Sequence, residues 1–339
     1  MPNWNEVLEE IQSCKRIDAL DFVRRKYLKE LHAITGRNVI AYYSGWLQKS
    51  DINKVMINDD DKNGLMAVIH GLDKSKGLDL LLHTPGGDIA ATESIVDYLR
   101  KIFGTDIRAI IPQLAMSAGT MIACSCKEIV MGKQSSLGPI DPQFNGISTY
   151  GVIEEFERAL KEIKEYPERI PAWQVIISKY HPTFIGDCEK AIDWSTELVS
   201  SWLETGMFSG ESDSLIKSER IAKDLRDHTK TKSHARHIPY EECERLGLKV
   251  CRLEDDHKFQ DTVLTIHHAY MHTFSNSPAV KIIENHDEKA MIQMQQQMQQ
   301  MFPIPQPPQG GPRVHMLQGF PIENPFIETQ KNDKQVTPP

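Results

Sequence analysis

The stretch Leu78-Asp-Leu-Leu-Leu-His-Thr-Pro-Gly-Gly-Asp88 joins an apolar run to a Pro-Gly-Gly turn, and the amphipathic segment Ile89–Phe103 follows it directly. A second stretch of the same kind begins at Asp106 and ends in Ala115-Met-Ser-Ala-Gly-Thr120. Each short apolar run bounded by turn residues predicts a buried strand, and each periodic segment predicts a helix. This regular alternation indicates right-handed crossovers and a parallel sheet with helices on its faces, so the predicted fold class is α/β.

The alternation extends on both sides of these stretches. Asn38–Tyr43 and Glu128–Met131 predict further strands, and residues 150–166 and 187–204 carry apolar positions at helical spacing. The central part of the chain, residues 36–283, is therefore predicted to be one α/β domain.

Two other segments flank this domain. Residues 1–35 predict a helical N-terminal extension, because their apolar positions recur at the period of amphipathic helices. From residue 284 the composition shifts to Met, Gln and Pro, which predicts a largely disordered tail over residues 284–339. We therefore expect truncation after Asn285 to leave folding intact.

Composition excludes several classes of function. A chain of 339 residues with 40 % hydrophobic content can bury a large core, and its net charge of −8 argues against nucleic acid as a partner. Its longest apolar runs, such as Leu78–Leu82, are far shorter than the roughly 20 residues of a membrane span. The first residues lack the basic and apolar parts of a secretory signal, so we expect a cytoplasmic protein with reduced cysteines.

Neither of two candidate metal motifs is complete. Cys124-Ser125-Cys126 has no second Cys or His pair at zinc spacing. His268 and His272 stand four residues apart on a predicted helix, but the Glu that metalloproteases place beside the first His is missing. We therefore predict no metal and no cofactor.

The chemistry is predicted to lie in the two glycine-bearing turns. In a parallel sheet, both turns fall at the carboxyl edge, where the first amides of the following helices lack internal partners. Ser117 then resembles a nucleophile elbow in its mechanics, and the Ala118 amide is one candidate donor for an oxyanion. Gly86 or Gly87 would supply the second donor, because a residue without a Cβ lets the backbone approach a substrate carbonyl.

Structural and phosphate-binding interpretations compete with this one. Serine is favoured at helix N-caps and Gly-Gly in tight turns for reasons unconnected with catalysis. A phosphate loop is disfavoured, because the turn at Gly86 has neither the P-loop nor the dinucleotide spacing of glycines.

Three motifs in this order and spacing resemble the serine dehydrogenase proteinase family. They are Leu80-Leu-Leu-His-Thr-Pro-Gly-Gly-Asp88, Ala115-Met-Ser-Ala-Gly-Thr-Met-Ile-Ala123 and Ile129-Val-Met-Gly-Lys-Gln-Ser-Ser-Leu-Gly-Pro-Ile-Asp-Pro-Gln143. That family belongs to the Clp-protease/crotonase-like superfamily and is related to signal peptide peptidase A. The resemblance implies a spiral of ββα units, a homo-oligomer, and a serine endopeptidase acting on polypeptide, with Ser117 as nucleophile and Gly86, Gly87 and Ala118 around the oxyanion.

The general base does not follow from the resemblance. Where Clp proteolytic subunits have a His, this chain has Asp141, which could act in or orient the site. Relatives of signal peptide peptidase A use a Lys, and burial can lower the pKa of an amine until it accepts the serine proton. The candidates, in order, are Lys179, His181 and Lys133. A non-catalytic oligomeric scaffold and a crotonase-like enzyme acting on acyl thioesters remain the alternative functions.

Overall fold

The computed structural model of the chain describes residues 4–49, 52–144, 146–227 and 233–295. The strands are β1 (Asn38–Ser44), β2 (Leu78–His83), β3 (Ile107–Ile111), β4 (Leu114–Ala115), β5 (Glu128–Met131), β6 (Ser136–Leu137), β7 (Gln143–Phe144), β8 (Ile147–Ser148), β9 (Ile238–Pro239), β10 (Val250–Arg252), β11 (Ala279–Asn285) and β12 (Ala290–Met294). The helices are α1 (Trp4–Ser13), α2 (Ala19–Thr35), α3 (Ile52–Val55), α4 (Asp60–Ile69), α5 (Ile89–Phe103), α6 (Ala118–Cys124), α7 (Thr149–Glu165), α8 (Ile170–Ile177), α9 (Phe184–Trp202), α10 (Ser214–Arg226), α11 (Tyr240–Leu246) and α12 (His257–Asn276).

The main sheet confirms the predicted α/β class. Within the described residues its strand order is β10-β5-β3-β2-β1-β11-β12. The first five strands pair in parallel, and β11 and β12 add an antiparallel edge. Helices join the parallel strands, as parallel pairing requires. The carboxyl ends of β2 and β3, where the two glycine-bearing turns follow, therefore lie at the same edge of the sheet.

Helices cover both faces of this sheet, which is why β1 is buried along its whole length. Alternate residues of β1 point to opposite faces. Ile40 and Tyr42 join the core beneath α4, α5 and α6. Tyr43, with Val39 and Ala41, joins a second core beneath α2 and α12. The glycine turn after β2, and β4, which leads from β3 to Ser117, thus extend from a sheet that is packed on both sides.

A small second sheet carries the chain from the main sheet to the turn at Ser117. Its order is β4-β6-β9, with β4 and β6 parallel and β9 antiparallel to β6. β3 is followed at once by β4 and then by α6, and β5 is followed by β6. This repeated step from a long to a short strand is the ββα unit that the resemblance implies.

The N-terminal helices are part of the same packed body. α2 lies along α12, and Arg24, fully buried, donates to Glu284 at 2.7 Å and to Thr273 at 2.9 Å. The hydroxyl of Tyr270 also donates to Glu284, at 2.7 Å. A buried charge pair with these additional hydrogen bonds ties the extension to β11.

The predicted start of the tail at residue 284 is wrong. β11 runs to Asn285, and β12 pairs with it over Ala290–Met294. Met291 packs against the core, and the Gln295 amide donates to the Pro278 carbonyl at 2.8 Å. The Met- and Gln-rich composition concealed a strand whose side chains are only half buried. The remainder of the predicted tail, from residue 296, lies outside the described residues.

No helix in the described part of the chain is both long and apolar enough to cross a membrane.

Candidate active site

Ser117 lies between β4 and α6 in a conformation that side chains rarely adopt. Its backbone angles are φ 53° and ψ −116°, on the positive side of φ, where residues other than glycine are uncommon. It holds the N-cap position of α6, yet its side chain accepts no capping hydrogen bond from the described first turn of the helix. A strained turn between strand and helix is how a nucleophile elbow presents a serine hydroxyl. The N-cap interpretation therefore does not explain Ser117.

The glycine turn after β2 lies directly against Ser117, as the sequence predicts. The Thr84 amide donates to the Leu114 carbonyl at 3.1 Å, and the Met116 amide donates to the Thr84 carbonyl at 3.0 Å. A Cβ built on Gly86 would stand 2.7 Å from the Ser117 Cβ and 3.0 Å from the Ala118 nitrogen. Gly86, with φ of 101°, is thus required both by its conformation and by the close approach of the two turns.

Gly87 has a different neighbour. A Cβ there would stand 2.3 Å from the backbone nitrogen of Ile57, the residue that bridges to this turn. The Ile57 amide donates to the Gly86 carbonyl at 2.9 Å, and the Asp88 amide donates to the Ile57 carbonyl at 3.0 Å. The amide of Gly87 takes no part in this pairing, whereas the Gly86 amide donates to the Thr84 hydroxyl at 3.2 Å. Of the two glycine amides, that of Gly87 is therefore the better candidate for a substrate oxygen.

Asp141 is fully buried and contacts His234, which is not among the bases predicted from the sequence. Its carboxylate oxygen Oδ1 lies 2.8 Å from Nδ1 of His234, whose side chain is 21 % exposed. A histidine held at Nδ1 by a buried carboxylate has a fixed ring orientation and presents Nε2 outward as the proton acceptor. The pair therefore makes the contact that a histidine base and its orienting carboxylate would need.

The small sheet explains how His234 and Asp141 come together across 93 residues of sequence. β6 pairs on one side with β4, which leads into Ser117, and on the other with β9, which begins four residues after His234. Beyond β6, Gly138 exchanges hydrogen bonds with the Thr120 hydroxyl at 2.8 and 2.9 Å, which fixes this segment to α6. The available sequence signal was a polar loop bearing a histidine just before the strand Ile238–Pro239.

A cleft of about 650 Å³ opens beside the glycine turn, with Gly87 in its lining. One wall begins at Gly87 and continues into the start of α5, and another is formed by residues 142–144, directly after Asp141. α9 closes the cleft with the side chains of Asp187, Lys190 and Trp194. The lining is therefore largely apolar and aromatic, with charged side chains on α9.

The three other base candidates lie elsewhere. Lys179 and His181 are exposed and line a separate pocket of about 450 Å³ at the end of α8. Lys133 is exposed in the turn between β5 and β6, and its amide donates to Glu254 at 2.9 Å. All three side chains are exposed, whereas the lysine of a Ser–Lys dyad is a buried one.

The side chains of the two metal candidates are buried or half-buried. Burial raises the pKa of the Cys126 thiol to about 12, and it also raises that of Cys124. In the other motif, Nε2 of the buried His272 lies 3.0 Å from the Trp4 carbonyl oxygen, and burial lowers the pKa of His268. Across the described ranges, no group of three or more His, Cys, Asp or Glu side chains is arranged to hold a metal ion.

The parallel sheet, the repeated ββα step and a serine in a strained turn against a glycine turn define the ClpP-like class of α/β folds. Residues 12–297 match the family described as ClpP-like SDH-type serine proteinase. The match covers most of the chain, so the chain belongs to this family.

Two similar proteins come from Methanocaldococcus jannaschii. The uncharacterized protein MJ0137 is 34 % identical over 102 residues, which is 30 % of this chain and 35 % of the relative. The uncharacterized protein MJ1495 is 31 % identical over 109 residues, which is 32 % of this chain and 37 % of the relative. The matches thus span little more than a third of either relative's length, and neither name states an activity.

Proposed function

We propose that this protein hydrolyses peptide bonds, with Ser117 as the nucleophile. The observation that carries the proposal is the turn at Ser117, which has positive φ, accepts no capping hydrogen bond from the described first turn of α6 and lies against Gly86. A serine with a purely structural role needs no strained backbone, whereas a nucleophile must present its hydroxyl away from the helix that follows it. Membership of a serine proteinase family supports the same conclusion.

His234 is the general base of this proposal, and Asp141 orients it. The support is the 2.8 Å contact between His234 Nδ1 and the buried carboxylate of Asp141. The strand pairing gives further support, since β6 lies between the strand that leads into Ser117 and the strand that follows His234. A Ser–His–Asp set is recognised by geometry and roles and not by order along the chain.

The proposed reaction has two halves. In the first, His234 Nε2 accepts the proton of the Ser117 hydroxyl as Oγ attacks the substrate carbonyl carbon. The C–N bond then breaks, the proton passes from His234 to the departing amine, and an ester to Ser117 remains. In the second half, His234 removes a proton from water, whose oxygen attacks the ester, and the carboxylic acid product leaves as the Ser117 hydroxyl is restored.

The oxyanion formed in each half needs donors that are in place beforehand. We assign this role to the amides of Gly87 and Ala118. Ala118 is the first residue of α6, so its amide has no acceptor within the helix. Gly86 contributes the close approach of the two turns, because any side chain there would displace Ser117.

The substrate of this proposal is polypeptide, cleaved internally as by an endopeptidase. The cleft beside Gly87 supports this, because its volume of about 650 Å³ and its apolar lining suit a bulky side chain next to the scissile bond. Ile89, Phe144 and Trp194 are the side chains that would contact it.

The base is tested by comparing two histidines of one loop. His234→Ala should lower kcat for a fluorogenic peptide by about 10²–10⁴, the usual contribution of a general base. His237→Ala, an exposed position three residues away, is the matched control and should retain activity within about twofold. Equal activity of the two variants would overturn the assignment of His234.

Lys179 is the competing base, as in a Ser–Lys dyad. If His234 is the base, Lys179→Met should keep a kcat far above that of His234→Ala, because the Lys179 amine is exposed in a separate pocket. A lower kcat for Lys179→Met than for His234→Ala would instead identify Lys179 as the base. Asp141→Asn should lower kcat as well, since an asparagine favours the wrong tautomer of His234.

A further inference from the structure

The pocket at the end of α8 is lined by apolar and aromatic side chains that no part of the proposed mechanism uses. Its lining consists of Ile147, Ile176, Lys179, Tyr180, His181 and Phe184, around about 450 Å³. Ile147 is 50 % exposed and Ile176 is 38 % exposed. The Tyr180 ring stacks on Phe184 with 5.7 Å between centroids, so the floor of the pocket is built by packed aromatic rings.

This pocket adjoins the cleft beside Gly87. The Phe184 ring lies 5.7 Å, centroid to centroid, from the ring of Phe144, which lines the cleft. The first turns of α9 also serve both spaces, with Phe184 in the pocket and Asp187 in the cleft. The two spaces therefore share an aromatic wall, and an extended chain bound in the cleft can continue over Phe144 towards the pocket.

The charge of the pocket differs from that of the whole chain. The chain carries a net charge of −8, yet the pocket contributes Lys179 and His181 and no acidic side chain. Among the residues that the structure describes, Lys179 has no ion-pair partner, and its side chain is exposed. A carboxylate of a bound chain would find a cation at this position without displacing an existing partner.

From these contacts we infer a second substrate subsite in this pocket, one that takes an apolar side chain followed or preceded by an acidic residue. The inference rests on the proposed function, because the occupant is the same polypeptide that is cleaved beside Ser117. Occupancy of two connected pockets by one chain raises affinity through the effective concentration of the second contact. The protein would therefore select unfolded segments with alternating apolar and acidic residues over short peptides.

The test uses fluorogenic peptides lengthened one residue at a time from the cleavage site, with Leu-Glu or Ser-Gln as the distal pair. We expect kcat/KM to rise about tenfold once a Leu-Glu pair reaches the pocket, mainly through KM, and Ser-Gln peptides to show no such rise. Ile176→Ser and Lys179→Glu should each reduce the ratio of kcat/KM for the long Leu-Glu peptide to kcat/KM for the short peptide severalfold. Leu160→Ser and Lys161→Glu, at exposed positions of α7 outside the pocket, are the matched controls and should keep the ratio.

A measurement of peptide binding distinguishes an incorrect subsite from an incorrect proposed function. Fluorescence anisotropy of labelled peptides on the Ser117→Ala variant reports affinity without hydrolysis. A long Leu-Glu peptide that binds no more tightly than its Ser-Gln counterpart, or binding that Ile176→Ser leaves unchanged, would overturn the subsite. If the wild-type chain binds these peptides but cleaves none, the proposed peptidase activity fails and the subsite stands.

Discussion

At the scale of single residues, the backbone of Ser117 is the feature that separates a functional from a structural serine. A side chain held at φ 53° costs on the order of 1–3 kcal/mol, and within the described residues no capping hydrogen bond offsets this cost. The surrounding contacts, including the 3.0 Å hydrogen bond from the Met116 amide to the Thr84 carbonyl, hold the turn in place.

The strained backbone of Ser117 predicts a difference in stability between two variants, which a measurement of activity would not reveal. Ser117→Gly should be more stable than Ser117→Ala by about 1 kcal/mol or more, because glycine adopts positive φ without a steric penalty. Both variants should lose hydrolysis, and Ser117→Ala should keep a melting temperature within a few degrees of the wild type, since no capping bond is lost. Urea unfolding of the two variants measures the difference; equal stability would show that the turn is unstrained.

The proposed oxyanion donors have to be tested with a substitution that adds no side-chain atoms. Gly87→Ala would not isolate the role of the Gly87 amide, because a methyl group there would clash with the Ile57 backbone, and one on Gly86 would clash with Ser117. Incorporating glycolic acid at position 87 exchanges the N–H for an ester oxygen and adds no side chain. We expect this to lower kcat by about 10²–10³, the scale of one lost oxyanion donor.

The same exchange at Gly86 is the matched control. Its amide already donates to the Thr84 hydroxyl, so the ester should lower the stability somewhat. It should lower kcat much less than the ester at Gly87 does. If the Gly86 ester shows the larger loss of kcat, the two amides have been assigned the wrong way round.

At the scale of secondary-structure elements, β12 decides where the folded part of the chain ends. Truncation after Asn285 removes a strand that pairs along β11 and leaves the buried β11 as an exposed edge. This variant should lose soluble yield or melt several degrees lower, whereas truncation after Gln295 should keep the melting temperature within about 2–4 °C. Thermal unfolding of both variants checks this, and identical behaviour would mean that β12 adds nothing to stability.

How far the sequence predicts an element depends on whether its signal is local. The strands Leu78–His83 and Glu128–Met131 and the helix Ile89–Phe103 are predicted to the residue, since each has dense apolar periodicity and a turn at its end. β12 was missed, because Ala290–Met294 is half buried and continues into a Met- and Gln-rich run.

Which residues of the site could be predicted also depends on whether their signal is local in the sequence. Ser117 and the glycine turn lie in local motifs and could be predicted, including their mutual contact. The contact between His234 and Asp141 could not, because it depends on the pairing of β6 with β9 across 93 residues. Short strands of two residues carry too little periodicity for that pairing to be read from the sequence.

At the scale of the whole molecule, buried histidines beneath the sheet make stability depend on pH. Burial lowers the pKa of His267 to about 3, and burial together with His267 lowers the pKa of His83 well below its usual value. In the unfolded chain these rings titrate near pH 6.5, so between about pH 6.5 and 3 the unfolded state binds more protons. The free energy of unfolding should therefore decrease as the pH is lowered through this window, by up to about 1.4 kcal/mol per pH unit for each ring.

Urea unfolding at pH 7, 6 and 5 measures this dependence. His267→Leu should show a shallower slope of unfolding free energy against pH than the wild type, whatever its absolute stability. His237→Leu, at an exposed position, is the control and should keep the wild-type slope. An unchanged slope in His267→Leu would mean that His267 titrates equally in both states.

Two predictions about the whole protein, its cytoplasmic location and its assembly as a homo-oligomer, stay predictions. They follow from the resemblance and from the composition, whereas the contacts described above lie within one chain.

The central claim is that Ser117 is an activated nucleophile. Fluorophosphonates react with serines whose hydroxyl is deprotonated by a neighbouring base and whose oxyanion is stabilised. Treating the folded full-length chain with such a probe and mapping the adduct by mass spectrometry should give one modified peptide, with the phosphonyl group on Ser117. Labelling should disappear in Ser117→Ala and fall strongly in His234→Ala. A chain that remains unlabelled, or that carries the adduct on another serine, would contradict the assignment.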